Sequence, residues 1–98
     1  MTSKQRAYLK GLAMNIDPIM NVGKESLTPG ITEAVSEALE ARELIKIGIL
    51  KNCADDPKEI AALLADRTHA EVVQVIGKKM VFYKQAKKKE DRKIVLPK

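Results

Sequence analysis

Apolar residues recur along the chain with two alternating rhythms. Between Thr2 and Ile16 they fall three and four apart, so that Tyr8, Leu9, Leu12, Ala13 and Ile16 share one side at helical period. A first helix is predicted there. Thr2 and Gln5 stand at capping-box spacing ahead of it, and Asp17-Pro18 should end it, because a residue before proline is driven out of the helical region. Ile19-Met20-Asn21-Val22 predicts a short strand. Thr28 and Pro29 supply the cap and first position of a second helix, with Ile31, Ala34, Val35, Ala38 and Leu39 as its buried stripe. From Leu44 to Lys51 the rhythm drops to two: Ile45, Ile47 and Ile49 point one way, and Leu44, Lys46, Gly48 and Leu50 the other. Asp56-Pro57-Lys58-Glu59 opens a third helix that buries Ile60, Leu63 and Leu64 and fades near Arg67-Thr68-His69. Glu71 to Ile76 and Met80 to Tyr83 then read as a hairpin turning through Gly77-Lys78-Lys79.

The predicted order is α-β-α-β-α-β-β. This is a compact α/β single domain, a four-stranded mixed sheet packed with three helices. Helical crossovers between the first three strands favour parallel neighbours with right-handed connections, and the hairpin adds an antiparallel strand. Val73 and Val75 oppose Val72 and Ile76, so both faces of the sheet should be covered, at least in part. Residues 85–93 lack apolar periodicity, and Ile94-Val95-Leu96-Pro97 is a short extended segment able to dock on the body.

A chain of 98 residues supports one modest core. No apolar run approaches the roughly 20 residues that span a bilayer, and the N-terminus has no secretory apolar region, so a cytoplasmic protein is expected. The net charge of +5 is uneven: residues 1–77 sum to −2 and residues 78–98 to +7. A basic excess of this kind points to a polyanion, nucleic acid before a membrane surface. Membrane binding by the tail is disfavoured, since residues 84–93 have no apolar face.

Catalytic readings fail on counts. One cysteine, Cys53, leaves no intrachain disulfide or cysteine-rich zinc site, and one histidine, His69, leaves no catalytic pair of histidines, which disfavours a metalloenzyme or a nucleophile–histidine hydrolase. Asp56 is better explained as a helix cap than as half of a carboxylate pair with Asp55. No G-x-x-x-x-G-K-[ST] loop is present. No cofactor or metal is expected.

Three clusters suit a phosphate backbone instead. Gly23-Lys24-Glu25-Ser26 leads to the Thr28-Pro29 helix start, where unpaired amides and the positive helix end attract anions and Lys24 adds a charge, although Glu25 would repel phosphate. Lys78, Lys79 and Lys84, with Lys87, Lys88 and Lys89, place six lysines in twelve residues; lysines at turns and sheet edges also guard against aggregation. Lys4, Arg6 and Lys10 lie off the apolar stripe of the first helix, with Arg6 and Lys10 one turn apart. Aromatic residues are scarce, so contact through backbone and shape is expected over base stacking, with Tyr8 and Phe82 in the core. A protein-binding alternative rests on Glu33, Glu37, Glu40 and Glu43, which give the second helix an acidic side.

Lys4-Gln5-Arg6-Ala7-Tyr8-Leu9, the run Ala38 to Lys46, Asn52-Cys53 with Asp56-Pro57-Lys58-Glu59, and the run Val73 to Lys78 together resemble the bacterial YhbY proteins. These are stand-alone versions of the CRM domain of chloroplast RNA splicing and ribosome maturation. The resemblance covers about residues 4 to 84. It implies an RNA-binding domain over residues 1–84, similar to the C-terminal domain of translation initiation factor three, with residues 85–98 as a basic tail. It also implies association with precursors of the large ribosomal subunit and help in their maturation; a monomer is expected. Family members carry a Gly-x-x-Gly loop likened to the RNA-clamping loop of KH domains. Here Gly23 is its first glycine and Lys24-Glu25 its variable pair, while Ser26 replaces the second glycine. The turn of the family falls on Gly77-Lys78. Joined with the cationic clusters and the helix start read above, this gives the expected RNA-binding set: Gly23, Lys24, Ser26, Thr28, Lys4, Arg6, Lys10, Gly77, Lys78, Lys79 and Lys84.

Overall fold

Side-chain caps open all three helices. The computed structural model describes residues 1–98, with elements α1 (Ser3–Ala13), β1 (Met20–Val22), α2 (Pro29–Arg42), β2 (Leu44–Ile49), α3 (Pro57–Thr68), β3 (Glu71–Ile76) and β4 (Lys79–Tyr83), then a 3-10 turn at Lys89–Asp91. Thr2 accepts from the Gln5 amide while the Gln5 side chain accepts from the Thr2 amide, completing the capping box. Thr28 and Asp56 accept from the amides of Ile31 and Lys58, and a proline takes the first helical position after each. α1 stops at Ala13, before the proline expected to end it. Its last turn tightens, the amides of Met14, Asn15 and Ile16 each donating to a carbonyl three residues back.

The sheet order is β1-β2-β4-β3. β1 and β2 are parallel neighbours; β4 is antiparallel to both β2 and β3. β2 and β3 therefore run in the same direction without touching, which corrects the expected pairing. The reason lies in burial: Met80, Val81, Phe82 and Tyr83 are all buried and need cover from both faces and both edges, whereas β3 exposes Glu71 and Ile76. The strand with four consecutive buried residues takes the central place and leaves β3 at the edge. Gly77, at φ +54, opens the two-residue turn that the tight hairpin requires.

Two cores result. α2 and α3 cover one face, burying Val35, Leu39, Ile60, Ala61 and Leu64 against Val22, Ile45, Ile47, Ile49, Met80 and Phe82. α1 covers the other, with Leu9 and Ala13 on Leu44, Val73, Val81 and Tyr83, and Ile94 and Leu96 of the tail beside them. Two residues assigned to stripes fall outside: Tyr8 and Leu63 are 43% and 47% exposed. Tyr8 stands about 100° round the helix from Leu9, too far to follow it into the sheet. Among the aromatics, Phe82 is in the core as expected and Tyr8 is not.

Glu43 joins the tail to the body. It follows α2 at φ +64 and is fully buried. Its carboxylate accepts from the amides of Ala86 at 2.8 Å, Lys93 at 2.5 Å and Ile94 at 3.0 Å, and its carbonyl accepts from the Lys84 amide at 2.9 Å. Gln5 adds a bond to the Pro97 carbonyl at 3.0 Å. Burial pushes the Glu43 carboxyl up, but the three amides and the Arg92 charge outweigh it, holding the pKa below the ordinary value. Nearby, the Tyr83 hydroxyl is buried without a partner, and burial together with the Glu43 charge raises its pKa.

Because the Glu43 pKa is depressed by folding, its contribution is present at neutral pH and is lost as pH falls through and below the carboxylate range. Glu43→Gln should cost about 2 kcal/mol at pH 7 by removing an acceptor from buried amides, with a smaller loss at acid pH. Denaturant melts at both pH values check this, and hydrogen exchange at Ala86, Lys93 and Ile94 should quicken. Tyr83→Phe should stabilise by about 1 kcal/mol, since it removes a buried hydroxyl that nothing satisfies; an unchanged or lower Tm would contradict that account.

Candidate nucleic-acid interface

Register alone sorts the lysines into two groups. On the α1 face the strands pair in rows. Leu44, Tyr83 and Glu71 form the first; Lys46, Val81 and Gln74 the second; Asn21, Gly48, Lys79 and Ile76 the third. Successive rows are two residues apart, so the first and third are separated by about 13 Å. The Gly23–Ser26 turn continues β1 beyond the third row, where the Leu50 amide donates to the Val22 carbonyl at 2.8 Å. The hairpin turn lies at the same end, the Ile49 amide donating to the Lys78 carbonyl at 2.7 Å. Lys24, Lys78 and Lys79 thus gather at one end of the sheet, with Lys51 following β2 there; all four are exposed.

Lys84 lies at the opposite end, beside Glu43, about 16 Å along β4 from Lys79. It is not part of a rim around the Gly23 bend, nor are the tail lysines that follow it. Arg6 is also diverted. Val73 is the extra residue of a bulge in β3, and the Arg6 guanidinium donates to the carbonyls of Val72 and Val73, the latter at 3.4 Å. A bulge leaves carbonyls without ladder partners, and Arg6 satisfies them. Lys4 is exposed at the start of α1. Lys10 is half-buried on the same flank as Arg6, across the Leu9–Ala13 stripe from Gln5 and the tail.

The bend itself is a tight turn, the Ser26 amide donating to the Gly23 carbonyl at 2.9 Å with Lys24 and Glu25 exposed at its tip. Gly23 is not left-handed; a methyl group there would meet Leu50 Cδ1 at 3.4 Å, an ordinary contact. Ser26 takes the left-handed conformation, at φ +56. The strained position of the loop is therefore the one where this chain departs from the glycine pattern. Beyond it, Thr28 occupies the Ile31 amide and Pro29 has none, so the helix start offers little beyond the Gly30 amide.

The surroundings of the turn are two-sided. Toward α3, three carboxylates, Glu25, Asp55 and Glu59, and one cation, Arg67, rim a groove of about 330 Å³ floored by Leu27, Ile60 and Leu63. Toward the α1 face, the second and third rows of the sheet carry Lys46 and Lys79 and no carboxylate. A phosphate backbone is repelled on one side and attracted on the other. Lys46, Lys51 and Asn21 escaped the sequence reading; period-two alternation from Leu44 already put Lys46 on this face, but strand order was needed to bring Asn21 and Lys79 beside it. Glu43, counted on the acidic side of α2, is buried instead, which leaves Glu33, Glu37 and Glu40 exposed there. Cys53 is buried in the core, and His69 ends α3 at φ +59.

The chain is thus a compact α/β module whose mixed sheet ends, on one side, in a lysine-bearing turn and hairpin. The CRS1 / YhbY (CRM) domain model matches residues 1–84, and the chain belongs to that family. It is 39% identical over 97 residues to a Bacillus subtilis protein named "Probable RNA-binding protein YqeI", covering 99% of both chains. It is 33% identical over 97 residues to a Haemophilus influenzae protein named "RNA-binding protein", covering 99% and 95% of the two. The solution structure of SAV1595 from Staphylococcus aureus, a protein proposed to bind RNA, superposes with a TM-score of 0.80 at 42% identity over 99% of each chain.

Ser26→Gly should relieve the positive φ and stabilise the fold by about 0.5–1 kcal/mol, net of the extra freedom glycine has when unfolded. Thermal melts should show a rise of a few degrees; a fall would mean that the serine side chain holds the turn.

Proposed function

We propose that the protein binds RNA and acts, without a catalytic step of its own, on precursors of the large ribosomal subunit to assist their maturation. Two things support the reading: membership of the CRS1 / YhbY family with relatives named as RNA-binding, and the one-sided gathering of Lys24, Lys78 and Lys79. The second observation carries the mechanism. Lysines from two turns and the start of β4 meet at one sheet end, and the one acid of the Gly23–Ser26 turn, Glu25, lines the groove toward α3. RNA then approaches over the α1 face, and Lys24, Lys78 and Lys79 neutralise successive phosphates while the α3 side stays clear. Lys4 and Lys10 flank this path on α1, with Thr28 and Gly77 shaping the two turns; Lys84 and the tail form a second, separate cationic zone. The protein works as a monomer in the cytoplasm.

Lys24→Glu and Lys78→Glu should each weaken binding to large-subunit ribosomal RNA by about tenfold and lower the log–log salt slope by about 0.7–1, without loss of thermal stability. Glu25→Lys should strengthen binding. Filter binding across a salt series measures all three, and Lys84→Glu serves as the comparison with a smaller expected loss. Unaltered affinity in both lysine variants would remove this end of the sheet from the interface. Crosslinking in cells followed by sequencing of the attached RNA tests the ribosomal assignment: reads spread evenly over cellular RNA would refute it.

A further inference from the structure

The third row of the sheet is unlike an ordinary solvated strand end. Asn21, Gly48, Lys79 and Ile76 cross all four strands, a span of about 14 Å, past the part of the face that α1 and the tail cover. Asn21 and Lys79 are exposed, and Ile76 is exposed to 59%, a large apolar side chain left open at the end of a cationic row. Lys46 stands one row behind. Gly48, although between two exposed side chains, is itself buried. A methyl group on it would meet Asn21 Oδ1 at 2.3 Å and Lys79 Nζ at 3.7 Å. The Asn21 amide therefore lies down over the Gly48 backbone, in a place that exists only because residue 48 has no side chain.

We propose that this row is a floor for single-stranded RNA, and that it gives the interface its preference for unpaired over paired segments. The inference rests on the RNA-binding reading above and adds the form of RNA recognised. Lys46 and Lys79 attract the backbone, continuing the charge of Lys24 and Lys78. Asn21 presents a donor and an acceptor together, the pair that reads a base edge. Ile76 offers an apolar shelf to a base face. Base edges and faces are both within reach when a strand is unstacked; in an A-form duplex the faces are stacked away and the deep groove is closed to side chains. A duplex can use the lysines and nothing else in the row.

The test uses the full chain with labelled oligouridylate and oligoadenylate strands, each alone, and with the duplex formed by annealing them. The unaltered protein should bind at least one free strand more tightly than the duplex. Asn21→Ala and Ile76→Ser, both at exposed positions, should each lower that affinity about three- to tenfold and leave duplex binding unchanged. Lys79→Ala should weaken both. Gly48→Ala should match Asn21→Ala, because its methyl displaces the amide, and should add nothing in an Asn21→Ala background. Circular dichroism melts establish that every variant folds. Equal losses on strand and duplex, or silent Asn21 and Ile76 variants beside a Lys24→Glu variant that has lost binding, would overturn the floor and leave the loop reading standing. Silence from Lys24→Glu as well would remove both.

Discussion

A single buried carboxylate decides how this domain closes. Glu43 sits where α2 hands the chain to β2, in a sparsely populated positive-φ conformation that costs a non-glycine residue about 1–3 kcal/mol. The position is held because its side chain and carbonyl gather four amides from residues 84–94. An unpaired charge in that interior would be costly, and four unpaired amides would be too; each set satisfies the other. The consequence reaches beyond local stability. Ile94 and Leu96 are laid beside α1, completing the smaller core, and a segment with no helical or strand periodicity acquires a defined course. The tail lysines are thereby committed to the end of the sheet opposite the Gly23 turn.

That commitment separates the charge of the molecule into zones with different neighbours. At the hairpin end Lys79 shares the α1 face with Asn21 and Ile76, and Glu25 of the adjacent turn lines the groove toward α3. The turn thus has a direction that its sequence, Gly-Lys-Glu-Ser, does not reveal. Glu25, which counts against phosphate binding when the loop is read as a string, belongs to the other side. Ser26 itself takes the left-handed conformation, at a cost borne by the rest of the fold.

Local signals were the legible ones. Thr2, Thr28 and Asp56 cap their helices as their spacing requires, and the alternation from Leu44 to Ile49 divides between the two cores as read. The hairpin at Gly77 was equally visible. The errors share a cause. Tyr8, Leu63 and Glu43 were placed by helical period, which states the side of a helix but not whether a neighbour covers it. Arg6 was read as a free cation because a bulge at Val73, in another element, is invisible from α1. Part of the candidate site was legible as residue types, Lys24, Lys78 and Lys79; Lys84 was grouped with them only by its nearness in sequence.

By itself the sequence determined the elements, their order, the partial covering of both sheet faces and the basic excess of the C-terminal fifth. Caps, turns and periodicity act over a few residues, and their energies are decided there. The tertiary structure alone decided that β4 inserts between β2 and β3, that Glu43 is a buried anchor, and that the cations divide between opposite ends. Each of those depends on which distant surfaces exclude water together, and strand order, unlike strand identity, is set by that competition over the whole chain.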